Sequence, residues 1–476
     1  MLLWPAAILA AGLLVVGLRP AGAEARPLFT GISGIAEFEP LAFQRAKAAG
    51  ADYVRLAVDW SETAPSQPPG SWDPENPADP HYDWQRTDEG VTMAVQAGLL
   101  PVLMIEETPL WAQGCPPGSG DNCNPDPAAL AAFATAAARR YSGSFEGLPR
   151  VWYWQGLNEP NLSGYFNPQF EGDRAVAADR YRVLLNAFSA AVKAVDPSNL
   201  VVAAGLGPIA VPKYTIGPMR FTRELLCMRG RDRFRPARGD CHGGVHFDIF
   251  DIHPYTTGGP THTGGVNDVE LGDLPKLQAL LRAADLAGRI DGRFARTPLW
   301  VGEFSWDSNP PDPGGLQMKI ETRWTAEALH GAWKAGVRVF FWFTLRDRMP
   351  QPQLPFSLTL ESGLYFRAAN PADDQPKEVL YAFRFPFVAY PTAGGLSCWG
   401  RTPGGGPGKV TIQVWKGGDW HRVLETRADQ TGIFQGLVPS RYGRGKRGSA
   451  RAVFQRQSSV PFSMKPVPDF PQPPFG

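Results

Sequence analysis

A chain of 476 residues with 43% hydrophobic and 20% charged side chains can build a large core, which excludes a disordered protein. A net charge of +1 gives no electrostatic case for nucleic acid as a partner. The length suits one α/β unit of about 250 residues or more with a smaller companion.

Residues 2–18 are almost wholly apolar, and Ala21-Gly22-Ala23 offers a small-x-small cleavage site. Residues 1–23 therefore read as an export signal, which places the mature protein outside the cell or at its envelope. The usual basic start is missing, so an uncleaved anchor is the alternative, although the run is at the short limit for a span. Cysteine usage agrees with an oxidising compartment. Cys115 and Cys123 flank one loop, Cys227 and Cys241 bracket another, and Cys398 has no evident partner. No CxxC pattern or histidine cluster is present, so no metal is expected, and no cofactor is called for.

In chain order, short apolar runs rich in β-branched or aromatic residues fall at 28–32, 53–58, 100–105, 151–157, 200–204, 247–252, 299–301 and 337–343. Helical patterns lie between them at 41–49, 87–97, 127–141, 175–195, 274–287 and 321–335, while 207–244 reads as an elaborated loop with no clear helix. Asp126-Pro127 is a helix start, and Gly50, Gly98 and Gly336 fall just past helix ends. Eight strands alternating with helices predict an α/β fold, a (β/α)8 TIM barrel over residues 24–387.

From Val388 onward the character changes to alternating runs separated by Gly-rich turns, which predicts a small C-terminal antiparallel β-sandwich over 388–465. A Pro-rich tail, 466–476, is expected to be extended or loose. From Val388 to the C-terminus the chain holds twelve Lys/Arg against four Asp/Glu, with Arg441, Arg444, Lys446, Arg447 and Arg451 in one stretch. An exposed basic patch of this kind could associate with an anionic cell envelope, or simply be a solvated turn. All candidate catalytic residues precede Phe385, so catalysis is expected not to depend on this module.

Two of the predicted strands lead into glutamates: Trp152-Tyr153-Trp154-Gln155-Gly156-Leu157-Asn158-Glu159-Pro160 and Leu299-Trp300-Val301-Gly302-Glu303-Phe304. On one rim of a barrel the two carboxylates would share a pocket, and paired carboxylates across a cleft are the equipment of glycosidic bond cleavage. The same chain carries Arg55 on the second strand, Trp60 after it, His253-Pro254-Tyr255 after the sixth strand and Trp342 on the eighth.

In that combination the chain resembles the retaining glycoside hydrolases of the (β/α)8-barrel clan that includes families 5 and 39, over roughly residues 29–385. The resemblance implies Glu159 as acid/base and Glu303 as nucleophile. It also implies Arg55, Trp60, Asn158, His253, Tyr255 and Trp342 as substrate-binding residues, with Trp342 as the floor of the sugar subsite. The end of the third strand departs from the usual family 5 pattern: Glu106-Glu107 stands where a histidine is usual. The implied activity is hydrolysis of a β-linked polysaccharide or glycoconjugate by double displacement, without cofactor, by a monomer. A transglycosylase on the same site and a non-catalytic carbohydrate-binding envelope protein are the alternatives.

Overall fold

The computed structural model describes residues 26–35, 38–115, 122–237, 244–349, 359–439 and 448–475. The export-like segment, Cys241, and the cations Arg441, Arg444, Lys446 and Arg447 lie outside the described residues. Among the described residues no helix is long and apolar enough to cross a membrane.

Eight parallel strands close into a barrel. They are β1 (Phe29–Ser33), β2 (Tyr53–Asp59), β3 (Leu100–Glu106), β4 (Tyr153–Gly156), β5 (Leu200–Leu206), β6 (Ile249–Ile252), β7 (Leu299–Val301) and β8 (Val337–Phe343). Each pairs with its neighbours in sequence, and β8 closes on β1 with Val339 opposite Phe29. The helices are α1 (Pro40–Ala48), α2 (Trp60–Thr63), α3 (Gln85–Gln96), α4 (Pro127–Arg140), α5 (Ala177–Val195), α6 (Pro218–Leu225), α7 (Leu274–Leu286), α8 (Met318–Ala335) and α9 (Glu378–Arg384). The end signals act as read. Asp126 accepts from the Ala128 amide at 2.8 Å, and Gly336 takes φ 91° to end α8. The 207–244 segment, expected to be a loop with no clear helix, does contain one, the two-turn α6, which buries Pro218, Phe221, Thr222 and Leu225 at helical spacing.

Side chains alternate across each strand, so one set fills the barrel and the other meets the helices. The inner set includes Tyr53, Val102, Val202, Ile249, Trp300, Val339 and Phe341. Trp300 lies 5.5 Å from Tyr53 and 5.3 Å from Tyr153, ring centre to ring centre. These aromatics plug the lower barrel. A pocket can therefore open only above them, at the carboxyl ends of the strands.

The C-terminal region is built of antiparallel sheets. One is β9 (Phe387–Thr392), β10 (Gly395–Arg401) and β13 (Ile433–Pro439); the other centres on β11 (Gly408–Lys416), flanked by β12 (Asp419–Ala428) and β14 (Ser449–Phe454). The fully buried Arg401 ties this region to the barrel through Asp52 at 2.7 Å. Arg451, expected on an exposed loop or hairpin, lies half-buried on β14, bonded to Gln413 at 2.8 Å and lying over Trp420.

The tail is extended as expected but not loose, because it docks on the barrel. Asp469 accepts from the Gly259 amide at 2.6 Å and meets His262 at 2.8 Å, and Phe470 packs on Trp324. The Gln472 amide donates to the Thr257 carbonyl, and the Pro474 carbonyl accepts from the Asp307 amide, both at 2.8 Å.

Candidate active site

Glu159 stands three residues past the end of β4, and its own backbone holds φ 42°. Few side-chain-bearing residues adopt this left-handed conformation, which costs on the order of 1–3 kcal/mol and is found where geometry is functional. Here it takes the chain out of strand geometry at the rim, just where the carboxyl is delivered. Glu303 follows β7 after Gly302. A methyl group at Gly302 would collide with the Asp251 carboxylate, and one at Gly205 would lie 2.6 Å from Gln155 Nε2. Glycine at these two positions lets the polar layer under the site close up.

That layer is continuous. Arg55 Nη1 donates to Glu303 Oε1 at 2.6 Å, Nη2 to Asn158 Oδ1 at 2.7 Å, and Nε to Gln155 Oε1 at 2.9 Å. Tyr255 Oη donates to Glu303 Oε2 at 3.0 Å. His253 Nδ1 lies 2.9 Å from Glu159 Oε1 and 3.8 Å from Glu303 Oε2. These two carboxylate oxygens can therefore be no farther apart than the sum of those distances. Its Nε2 faces Asp251 at 3.5 Å. Since Arg55 occupies Asn158 Oδ1, the Asn158 amide nitrogen is left to meet a ligand.

The two glutamates titrate apart. Burial raises the Glu159 pKa and Glu303 adds to the rise, against the pull of His253 and Arg55. Burial also works against charge on Glu303, but His253, Arg55 and the Tyr255 hydroxyl outweigh it and hold its carboxyl below the ordinary value. His253 is fully buried, which disfavours its cation, yet Glu303, Asp251 and Glu159 push its pKa up to about 10. One carboxyl is thus disposed to stay protonated and the other ionised, the arrangement that acid and nucleophile require.

Of the residues singled out in the sequence, Glu159, Glu303, Arg55, Asn158 and Tyr255 converge here. Three substrate-contact assignments need correction. Trp342 is fully buried, points away from the barrel axis, donates from Nε1 to the Ser362 carbonyl at 2.8 Å and packs on Phe383 of α9. The inward position at the end of β8 belongs to Phe343. Trp60 is also fully buried, stacked on Phe133 of α4. His253 has no exposed surface and acts on Glu159 rather than on a ligand.

The structure adds Tyr165, 38% exposed and close enough to feel Glu159 and Glu303, and Glu106, whose pKa burial lifts to about 7 although Arg55 opposes it. It also brings Phe475 of the tail to 4.9 Å from the Tyr255 ring. The tail thus reaches the rim that carries the candidate site.

The Cys115–Cys123 disulfide is formed. Cys227 is disulfide-bonded as well, and Cys398 is a buried free thiol.

Residues 36–270 match the model of the cellulase family, glycosyl hydrolase family 5. No curated protein matches the chain. Among solved structures, the chain is similar to a family 39 glycoside hydrolase from the gut symbiont Bacteroides cellulosilyticus WH2. The identity is 15%, with 87% of this chain and 79% of that one covered and a TM-score of 0.51. A GH39 enzyme from Xanthomonas axonopodis pv. citri shares 14% identity over 89% of this chain and 97% of its own, at a TM-score of 0.51. A monomeric β-xylosidase from Caulobacter crescentus CB15 shares 15% identity over 87% and 95%, again at 0.51. At these identities the likeness establishes the barrel and the antiparallel region that follows it.

Proposed function

We propose that this chain, a glycosidase of the (β/α)8-barrel clan that includes families 5 and 39, hydrolyses a β-linked glycoside with retention of configuration. The observation that carries the reading is a pair of largely buried carboxyls that meet the same histidine nitrogen, with the Glu159 pKa held above its ordinary value and the Glu303 pKa below it. In the first step the Glu303 carboxylate attacks the anomeric carbon while Glu159 protonates the leaving oxygen, so the glycosidic bond breaks as a glycosyl ester forms. In the second, Glu159, now a carboxylate, takes a proton from water as that water displaces Glu303. Arg55 and Tyr255 each bond one Glu303 oxygen and keep it aimed. Asn158 presents its amide to the sugar 2-hydroxyl, a contact that strengthens in the transition state. Tyr165, Phe343 and Phe475 are the aromatic surfaces disposed to meet sugar rings.

We place the enzyme outside the cytoplasm, which the disulfide at Cys115–Cys123 and the export-like leader support. The test is a panel of aryl β-glycosides and β-linked polysaccharides run beside Glu303→Ala. Turnover of at least one substrate, lost in the variant, is expected. A panel with no turnover above the variant's background would overturn the reading.

A further inference from the structure

The loops after β7 and β8 bring three carboxylates together away from the catalytic pair. Asp307, Asp312 and Glu361 are 1%, 1% and 3% exposed, and an oxygen of each lies within 4.8 Å of the others. The Glu361 amide donates to Asp307 Oδ1 at 2.9 Å, Thr359 to Glu361 Oε2 at 3.0 Å, and the Gly314 amide to Asp312 Oδ1 at 2.7 Å. Asp312 Oδ2 is buried with no hydrogen-bond donor. A carboxylate oxygen shut away from both water and a donor is unusual, because burying it unsatisfied costs free energy.

Lys377 is fully buried nearby, but its ammonium is already engaged with the Asp347 carboxylate, Ser308 Oγ and the Glu361 carbonyl. A second buried carboxyl stands close by: Glu321 at the start of α8 is fully buried, with neither carboxylate oxygen partnered, and it feels Lys377 ahead of Asp347 and Asp307. Buried charges of one sign persist when they coordinate a metal or are neutralised.

We propose that Asp307, Asp312 and Glu361 bind a structural Ca²⁺ that clamps the loops after β7 and β8 together. The donors are all oxygen, the preference of Ca²⁺. Ligands on opposite sides of a Ca²⁺, each about 2.4 Å from it, stand about 4.8 Å apart, so the observed spacing admits the ion among all three. Mg²⁺ needs a tighter octahedron and keeps most of its waters, which suits this dry corner less well. The clamp would steady the segment that begins four residues after Glu303, and with it Asp307, whose amide holds the tail through Pro474.

The test is independent of any glycosidase reading. The full chain, purified without chelator, is examined for bound metal by elemental analysis and for thermal unfolding with EGTA, Ca²⁺ or Mg²⁺. One Ca²⁺ per chain is expected. EGTA should lower the Tm by roughly 5 °C, with recovery in Ca²⁺ but not in Mg²⁺. Asp312→Asn, nearly isosteric, should lose the Ca²⁺ response. A wild-type chain that holds no Ca²⁺ and whose Tm ignores both EGTA and Ca²⁺ would overturn the proposal. So would an Asp312→Asn chain that melts higher than wild type in Ca²⁺, since that would mean the cluster is repulsive rather than bridged.

Discussion

At the scale of single residues, the account rests on His253 as much as on the glutamates. With no exposed surface it is a positioning residue: one cation shut between the two carboxyls lowers the pKa of each. Removing it should let both rise. His253→Asn is therefore expected to move both limbs of the pH profile of kcat/KM upward, the acid limb with Glu303 and the alkaline limb with Glu159. Loss of a charged hydrogen bond worth about 1.5–3 kcal/mol should also cut kcat roughly ten- to a hundredfold. A purely structural histidine would lower stability and leave both limbs where they were.

The glutamates are separated by their variants. Glu303→Ala should abolish turnover, while Glu159→Ala should lose about 10²–10⁴ on poor leaving groups and much less on activated aryl glycosides. Azide rescue should give opposite anomers from the two variants. Near wild-type activity of either on a natural substrate would contradict its role.

At the scale of elements, the lesson lies in strand parity. The eight strands and both glutamates were legible because apolar runs buried on two faces look alike wherever they occur, and a carboxylate at their end is conspicuous. The side on which each residue projects was less legible. Phe340-Phe341-Trp342-Phe343 is apolar throughout, so composition carries no phase, and only pairing with β1 and β7 decides that Trp342 faces α9 while Phe343 faces the pocket. Trp342→Ala should therefore cost about 3–5 kcal/mol of stability, as large core truncations do, with KM little changed in the protein that folds. Phe343→Ala should raise KM with a small loss of stability. Denaturant unfolding and Michaelis kinetics on the two variants check this, and the reverse pattern would restore Trp342 to the sugar site. The acidic cluster was invisible for another reason. Its oxygens come from two loops that meet only after folding, whereas metal signatures in sequence are short-range spacings.

At the scale of the whole molecule, the C-terminal region is a structural partner of the barrel, joined at its base by Arg401 and Asp52 and along its side by Trp399 packed on Trp333 of α8. The tail then returns to the rim and places Phe475 against the tyrosine that aims Glu303. A proline-rich composition specified an extended chain but not its destination, because a docked and a free strap look the same in sequence. Phe475→Ala should leave the fold intact and raise KM by several-fold, with a smaller change in kcat if Tyr255 keeps its bond to Glu303. Unchanged kinetics on every substrate would make the tail a strap for stability alone.

The central claim is double displacement by Glu159 and Glu303, and the anomeric configuration of the first-formed product tests it most directly. Retaining enzymes hold their carboxyls about 5–5.5 Å apart and inverting ones about 6.5–9.5 Å, because the latter must fit a water between sugar and base. Proton NMR at early times, before the sugar mutarotates, should show the β-anomer released from a β-glycoside. An α-anomer as the first product would contradict the account.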